Sequence, residues 1–144
     1  MKTLFKIDCV LYPLGLLTVL SGFALHIAGH GNRHSLWEMC AVSHILLAML
    51  FAVFIVRHLL AHPAWLKNFR LNVSRPKGRV TALLALLAVF TTLTGLSLLA
   101  VYGVNTGPGL LHYKAGIAFT LFLIWHGVSR FHILRKGIFV RRKV

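Results

Sequence analysis

Histidine is the residue type whose spacing in this sequence points most clearly to chemistry. The chain contains nine histidines, and an ionisable side chain within an apolar segment is costly enough that it usually marks a functional site. Two pairs are each separated by 14 residues, His44 with His58 and His112 with His126. In an α-helix this separation falls about 40° short of four turns and spans about 21 Å. Each pair therefore presents two imidazoles on nearly one helix face.

These histidines lie in two of four apolar segments that have the length of membrane-spanning helices. The segments are Val10–Ala28, Leu36–Leu60, Val80–Tyr102 and Leu110–Phe131. About 20 apolar residues are enough to cross a bilayer. The composition is 58% hydrophobic and 12% charged, whereas a soluble domain carries about 25% charged residues. The sequence therefore predicts an all-α fold, a four-transmembrane-helix bundle that forms a single domain over residues 1–144.

The basic residues indicate how the chain crosses the membrane. There are 16 Lys and Arg residues against two acids, for a formal charge of +14. A nucleic-acid-binding protein gathers its cations on a folded face, whereas these lie between and beyond the apolar segments, so nucleic acid is not an expected partner. All but Arg33 and Lys114 fall on one side, which the positive-inside rule makes cytoplasmic. We expect a multi-pass protein of a bacterial inner membrane, in contact with the lipid bilayer, with both termini in the cytoplasm.

The predicted topology brings the two histidine pairs into register. The second and fourth segments both run from outside to inside. His44 should therefore face His112 near the outer surface, and His58 should face His126 nearer the cytoplasm. Two facing imidazoles are the axial ligands that a flat metal macrocycle needs, whereas a zinc ion needs three or four ligands that converge on one point.

Three cations near these histidines would suit a macrocycle that carries carboxylates. They are Arg57, Arg130 and Lys114. Guanidinium and ammonium groups pair well with carboxylates such as haem propionates. The alternative is that the two arginines simply extend to the inner lipid headgroups.

Three further histidines follow one another at intervals of four residues, namely His26, His30 and His34. One interpretation is an outer metal or quinol site, and the other is a set of solvated groups at the membrane interface. His26 and His30 are also alternatives to His44 as a ligand of the outer site.

Small residues recur every seven positions on the first and third segments. They are Gly15, Gly22 and Gly29, followed by Thr81, Ala88 and Gly95. A stripe of small residues admits a close neighbour, which is either another helix or the edge of a porphyrin.

The two acids are expected to have structural roles. Ser35 and Glu38 have the spacing of a helix-capping box. Asp8 lies near the inner end of the first segment, where a similar structural role is the simplest interpretation.

Several short segments resemble the small bacterial four-helix membrane cytochromes b, and in particular the flavinylation-associated cytochrome group. The segments are His44-Ile45-Leu46-Leu47, His58-Leu59-Leu60 followed by Trp65, Leu111-His112, and Trp125-His126-Gly127. The resemblance implies two haem b groups with bis-histidine ligation between the second and fourth helices. It also implies electron transfer across the membrane, with the quinone pool or a flavoprotein as a partner.

Three functions remain open from the sequence. The first is a diheme b-type cytochrome that passes electrons between partners on the two membrane faces. The second is an enzyme, a quinone-linked oxidoreductase such as a superoxide oxidase-like protein, with a substrate site at the outer end. The third is a metal-ion transporter or a haem-free membrane anchor, although the apolar segments lack the midplane acid that cation transporters often use.

Overall fold

The computed structural model describes residues 2–29, 34–100 and 106–141, and its regular elements there are all α-helices. In chain order they are α1 (Lys2–Gly29), α2 (His34–Leu60), α3 (Pro63–Lys67), α4 (Phe69–Ser74), α5 (Pro76–Ala100) and α6 (Gly107–Arg141). This confirms the all-α expectation for the described part of the chain. The helices form two compact units, Met1–Pro63 and Ala64–Val144. The single domain over residues 1–144 stays a prediction.

Among the described residues, three long helices are apolar enough to cross a membrane, namely Thr3–Gly29 within α1 and the whole of α2 and α5. Large apolar side chains stay exposed on them, such as Ile27 at 72% and Met39 at 68%. Lipid accommodates such a surface, whereas water does not. These features indicate a multi-pass membrane protein that contacts the bilayer.

The fourth long helix, α6, contains the predicted fourth apolar segment but is less apolar than the others. The reason is that α6 continues past the apolar segment into a basic stretch that contains Arg135, Lys136 and Arg141. A crossing by α6, and with it the four-helix transmembrane bundle, stays a prediction.

The helices are longer than the apolar segments that predicted them. α1 begins at Lys2 and α5 at Pro76, several residues before the first apolar residue of each segment. An α-helix makes its backbone hydrogen bonds within itself, whatever its side chains are. It can therefore continue into polar residues on either side of an apolar segment, which a hydropathy pattern does not detect. α6 has 35 residues and is therefore about 52 Å long, well beyond a hydrocarbon core of roughly 30 Å.

The first unit is a hairpin in which α1 and α2 pack against each other in antiparallel directions. Its register is set by three contacts: Asp8 with His58, Gly22 with His44, and Gly29 with Trp37. The first and second contacts are 14 residues apart on each helix, and the second and third are seven residues apart. Residue numbers rise along α1 as they fall along α2, as expected for antiparallel helices. The buried Phe51 lies midway between His44 and His58, at the level of Gly15.

The second unit contains an equivalent hairpin, in which α5 and α6 pack against each other. Gly95 on α5 lies against the ring of His112 on α6. Ala88 lies seven residues before Gly95 on α5, and Phe119 lies seven residues after His112 on α6. Both side chains are buried. The two hairpins thus use the same seven-residue step between a small residue and a ring.

The basic link between the second and third segments is helical rather than irregular. It folds into α3 and α4, and α4 packs against α5. Arg75 is extended, with φ −89° and ψ 141°, because the ring of the following proline disfavours the helical region. The Arg79 guanidinium donates to the carbonyl oxygens of Val73 and Ser74 at 3.2 and 3.4 Å. It therefore satisfies the carbonyl end of α4.

Gly78 makes this turn possible, because a Cβ at that position would overlap the backbone carbonyl of Asn72. The Asn72 amide in turn donates to the carbonyl oxygen of Trp65 at 3.1 Å. The segment that joins α4 to α5 is therefore closely packed backbone against backbone.

α6 begins with a side-chain cap. The Gly109 amide donates to Thr106 Oγ1 at 3.3 Å, and the Leu110 amide donates to the Thr106 carbonyl at 3.0 Å. Pro108 lies in the first turn, where its missing N–H removes no helical hydrogen bond. The start of α6 is thus set by polar and conformational signals before its first apolar residue.

Candidate metal-ligating histidines

His44 is half-buried in the α1–α2 hairpin, and its ring is held by α1. Ser21 Oγ donates to the carbonyl oxygen of Thr18 at 2.9 Å, which uses the single hydroxyl hydrogen. The same oxygen lies 3.0 Å from His44 Nδ1, and while its hydrogen is on the Thr18 carbonyl it can only accept from the imidazole. In this arrangement the ring hydrogen is on Nδ1 and the lone pair of the neutral imidazole is on Nε2.

Gly22 determines how closely this ring approaches α1. A Cβ at Gly22 would lie 3.1 Å from His44 Cε1, so glycine leaves just enough room for the imidazole edge. The small-residue stripe of α1 therefore admits a side chain of the adjacent helix at this level. It does the same at Gly29, where the neighbour is the indole of Trp37.

His112 has the same relation to α5 as His44 has to α1. Its Nδ1 lies 3.0 Å from the carbonyl oxygen of Thr91, which can only accept. Thr94 Oγ1, which donates to helix carbonyls of its own, lies 3.3 Å from the same nitrogen. The hydrogen is again on Nδ1 and the lone pair on Nε2.

Gly95 provides the close approach in this hairpin. A Cβ there would lie 2.9 Å from His112 Cε1, closer than real Cβ contacts allow. Two hairpins thus present an imidazole in one tautomer, with Nδ1 bonded to the neighbouring helix. This is how proteins orient histidines that bind a metal through Nε2.

His58 is held by a charged group. Its Nδ1 lies 2.9 Å from Asp8 Oδ1, and both side chains are about one-quarter exposed, at 25% and 27%. The ring N–H is not aligned with that oxygen, so the carboxylate lies beside the ring nitrogen without a straight hydrogen bond. The ring of His62 packs edge-on against His58, with centroids 4.9 Å apart.

His126 is half-buried on α6. The seven-residue step of the second hairpin places Thr81 of α5 at its level. The Thr81 hydroxyl donates to the carbonyl oxygen of Lys77 at 3.1 Å. One turn after His126, the Ser129 hydroxyl donates to the carbonyl oxygens of Trp125 and His126 at 2.8 and 3.0 Å.

The three predicted cations are all exposed on their helices: Arg57 on α2, and Lys114 and Arg130 on α6. The Arg57 guanidinium lies over the ring of Phe54, 5.8 Å from its centroid. This neighbour belongs to its own helix, as expected for an arginine that extends along the helix surface. Their pairing with carboxylates of a ligand stays a prediction.

Two of the three histidines spaced four residues apart, His26 and His34, lie among the described residues. His26 is exposed near the end of α1, and His34 is exposed at the start of α2. His30 and Arg33 lie outside the described residues. α2 begins at His34, so Ser35 lies within its first turn rather than before it.

The donor set of the described residues suits axial ligation better than a closed metal site. No group of three or more His, Cys, Asp or Glu side chains that could hold a metal ion occurs within residues 2–29, 34–100 and 106–141. A structural zinc site needs four such donors. A macrocycle brings four nitrogens of its own and needs only single imidazoles, which these helices supply.

Sequence reasoning missed the groups that orient the rings, namely Ser21, Thr94 and Asp8. A signal for the first two is present, because residues 18–22 read TVLSG and residues 91–95 read TTLTG. In each segment a hydroxyl residue precedes the glycine against which a histidine packs. For Asp8 the sequence predicts only a structural role, because its partner depends on the register of the hairpin.

Comparison of the chain with models of known families, with curated proteins and with solved structures gave no match.

Proposed function

We propose that this protein is a diheme b-type cytochrome that carries electrons across a bacterial inner membrane. Its partners are a quinone or flavoprotein on one face and an unidentified redox protein on the other. The observation that supports this most directly is the matched pair of His44 and His112. Each packs on a glycine of the preceding long helix, and each is held through Nδ1 by that helix.

The residues present fit a haem group at two levels. In this proposal His44 and His112 ligate one haem at the outer level, and His58 and His126 ligate the other at the inner level. Haem, when bound, supplies a one-electron Fe(III)/Fe(II) couple. His44 and His58 lie about 21 Å apart along α2, a separation that spans most of a hydrocarbon core of roughly 30 Å.

The chain's own residues would perform three tasks for such a group. Ser21, Thr91 and Asp8 fix the ring orientation of three proposed ligands, so the imidazoles need little reorganisation on binding. The apolar faces of the helices exclude water and lower the local dielectric constant. Arg57, Arg130 and Lys114 would offer charge-assisted hydrogen bonds to the propionates.

A difference spectrum tests this proposal. The detergent-purified protein, expressed with an adequate haem supply, should give a b-type reduced-minus-oxidised visible spectrum with two haems per chain. We expect His44→Ala and His112→Ala each to lose the outer haem, and His58→Ala and His126→Ala each to lose the inner one. His132→Ala is the matched control, because His132 is exposed on α6, and it should retain both.

A protein without haem under these conditions would overturn the proposal and favour the transporter or the haem-free anchor. Retention of both haems in His44→Ala would move the outer ligand to His26 or His30. Catalytic reduction of quinone by the purified protein with a small donor such as superoxide would favour the oxidoreductase. The outer substrate site of that enzyme would include His30 and Arg33, which lie outside the described residues.

A further inference from the structure

The groups that hold the histidine rings differ in charge. The partners described above for the Nδ1 atoms of His44 and His112 are hydroxyl and carbonyl oxygens, which are neutral. The partner of His58 is the carboxylate of Asp8, 2.9 Å away. Asp8 is one of only two acids in a chain with a formal charge of +14, so a negative group at this position is unusual for the molecule.

A carboxylate beside Nδ1 changes the chemistry of the other ring nitrogen. The N–H is not aligned with the carboxylate, so the effect is that of the nearby negative charge, which raises the electron density at Nε2 and makes the imidazole a more basic ligand. A more basic ligand and a nearby negative charge both favour the more positive state of a bound metal. The effect is larger than on an open surface, because Asp8 and His58 are only about one-quarter exposed, at 27% and 25%, and solvent screens them incompletely.

Two exposed cations lie close to this pair in the sequence, Lys6 two residues before Asp8 and Arg57 next to His58. The Arg57 guanidinium lies over the ring of Phe54. An exposed cation is strongly screened, whereas Asp8 touches the His58 ring directly. The ring of His62, which packs on His58, adds no formal charge when neutral.

We propose that Asp8 is a positioning residue that makes the haem held by His58 the harder of the two to reduce. This inference rests on the proposed function, because it needs two haems. The consequence is a preferred direction of electron transfer: at equilibrium a single electron resides mainly on the haem held by His44. On the predicted topology this corresponds to a downhill path from the cytoplasmic side towards the outer side.

Redox potentiometry of the haem-loaded protein tests the inference, with dithionite as reductant and ferricyanide as oxidant. Two one-electron transitions are expected, and single-haem variants assign them. The haem that remains in His44→Ala should have the lower potential, and the haem that remains in His58→Ala the higher one. This assignment requires no change at Asp8, so it stands even if Asp8 variants fail to assemble.

Substitution of Asp8 then tests the cause. In Asp8→Asn the ferrous-to-ferric ratio of the lower-potential haem should rise about tenfold at a fixed potential, which corresponds to about 59 mV for one electron. Asp8→Glu keeps the charge and should keep the lower potential. Cys9→Ser, at the exposed neighbouring position, is the matched control and should change neither transition.

The outcomes separate this inference from the proposed function. Two haems whose potentials do not change in Asp8→Asn, or a lower potential at the His44 level, would overturn the inference and leave the cytochrome intact. A wild-type protein without haem would overturn the proposed function itself. A raised potential in Asp8→Asn, with the low value preserved in Asp8→Glu, is the result we expect.

Discussion

His112 Nδ1 lies 3.0 Å from the carbonyl oxygen of Thr91, a backbone group on the preceding long helix. Because the acceptor belongs to the backbone, it cannot turn away as a side chain can. The ring is also confined on its Cε1 edge by Gly95. The imidazole of His112 is therefore fixed in position by two features of α5, and a group added at Gly95 has no easy way to displace it.

We expect Gly95→Ala to weaken the His112 site. The new Cβ would lie 2.9 Å from Cε1, and overpacking of this kind costs about 1 to 3 kcal/mol, which exceeds the helix gain of roughly 0.5 to 1 kcal/mol from alanine. Haem occupancy at limiting haem should fall about tenfold. Gly22→Ala, with a contact of 3.1 Å, should cost less.

The matched control for Gly95→Ala is Gly116→Ala on α6. A Cβ at Gly116 meets nothing within 4 Å, so this variant should keep full haem occupancy and melt at the same temperature or slightly higher. Equal losses in the Gly95 and Gly116 variants would contradict the role assigned to the glycine beside His112.

Ser21→Ala should loosen His44. It removes the hydroxyl that accepts from His44 Nδ1 at 3.0 Å, and loss of one such hydrogen bond costs about 1 kcal/mol. We expect a several-fold faster loss of the outer haem to an apoprotein acceptor. Ser97→Ala is the control, because Ser97 makes the same bond to its own helix, to the Thr94 carbonyl, on an exposed face. Similar loss rates in the two variants would argue against orientation of His44 by Ser21.

Gly78→Ala should destabilise the junction of α4 and α5 without a direct effect on the histidines. The Cβ would overlap the Asn72 carbonyl, and a backbone group cannot yield as a flexible side chain can. We expect a loss of about 3 kcal/mol, at the upper end of the overpacking range, and earlier cleavage by trypsin at the basic residues nearby. Gly107→Ala, also in the first turn of a long helix but with open space around its Cβ, should leave both properties unchanged.

Cysteine labelling tests the predicted topology. In a background with Cys9 and Cys40 replaced by serine, a cysteine at Ser35 should react with a membrane-impermeant maleimide from outside intact cells. A cysteine at Lys77 should react only after the membrane is permeabilised, so that the reagent reaches its cytoplasmic face. Both positions are exposed, so neither should be shielded by the protein. Labelling of both from the same side would contradict the assigned crossings.

The sequence was sufficient to predict the helices, because long apolar runs dictate helical structure in a bilayer. It placed the ends inaccurately where polar residues continue a helix, as at Lys2 and Pro76. It also missed α3 and α4, which are too short and too polar to show in hydropathy. The fourth crossing, by α6, stays a prediction.

The histidine pairs were visible from their spacing, but the groups around them were not. Asp8 and His58 are 50 positions apart, and their contact depends on the antiparallel register of α1 and α2. That register rests on the match between small residues on one helix and rings on the other. The stripe of glycines predicted a close neighbour without showing that, at Gly22, the neighbour is an imidazole.

The seven-residue ladder between α1 and α2 has a consequence for how the chain assembles. If α2 slipped by one helical turn so that Phe54 or Ile55 came to the level of Asp8, the carboxylate would lose its partner, while His44 would meet a larger residue than Gly22. Each such mismatch buries an uncompensated polar group or creates a clash. The contacts that align the hairpin are therefore made by its own side chains, and its register needs no further group to define it.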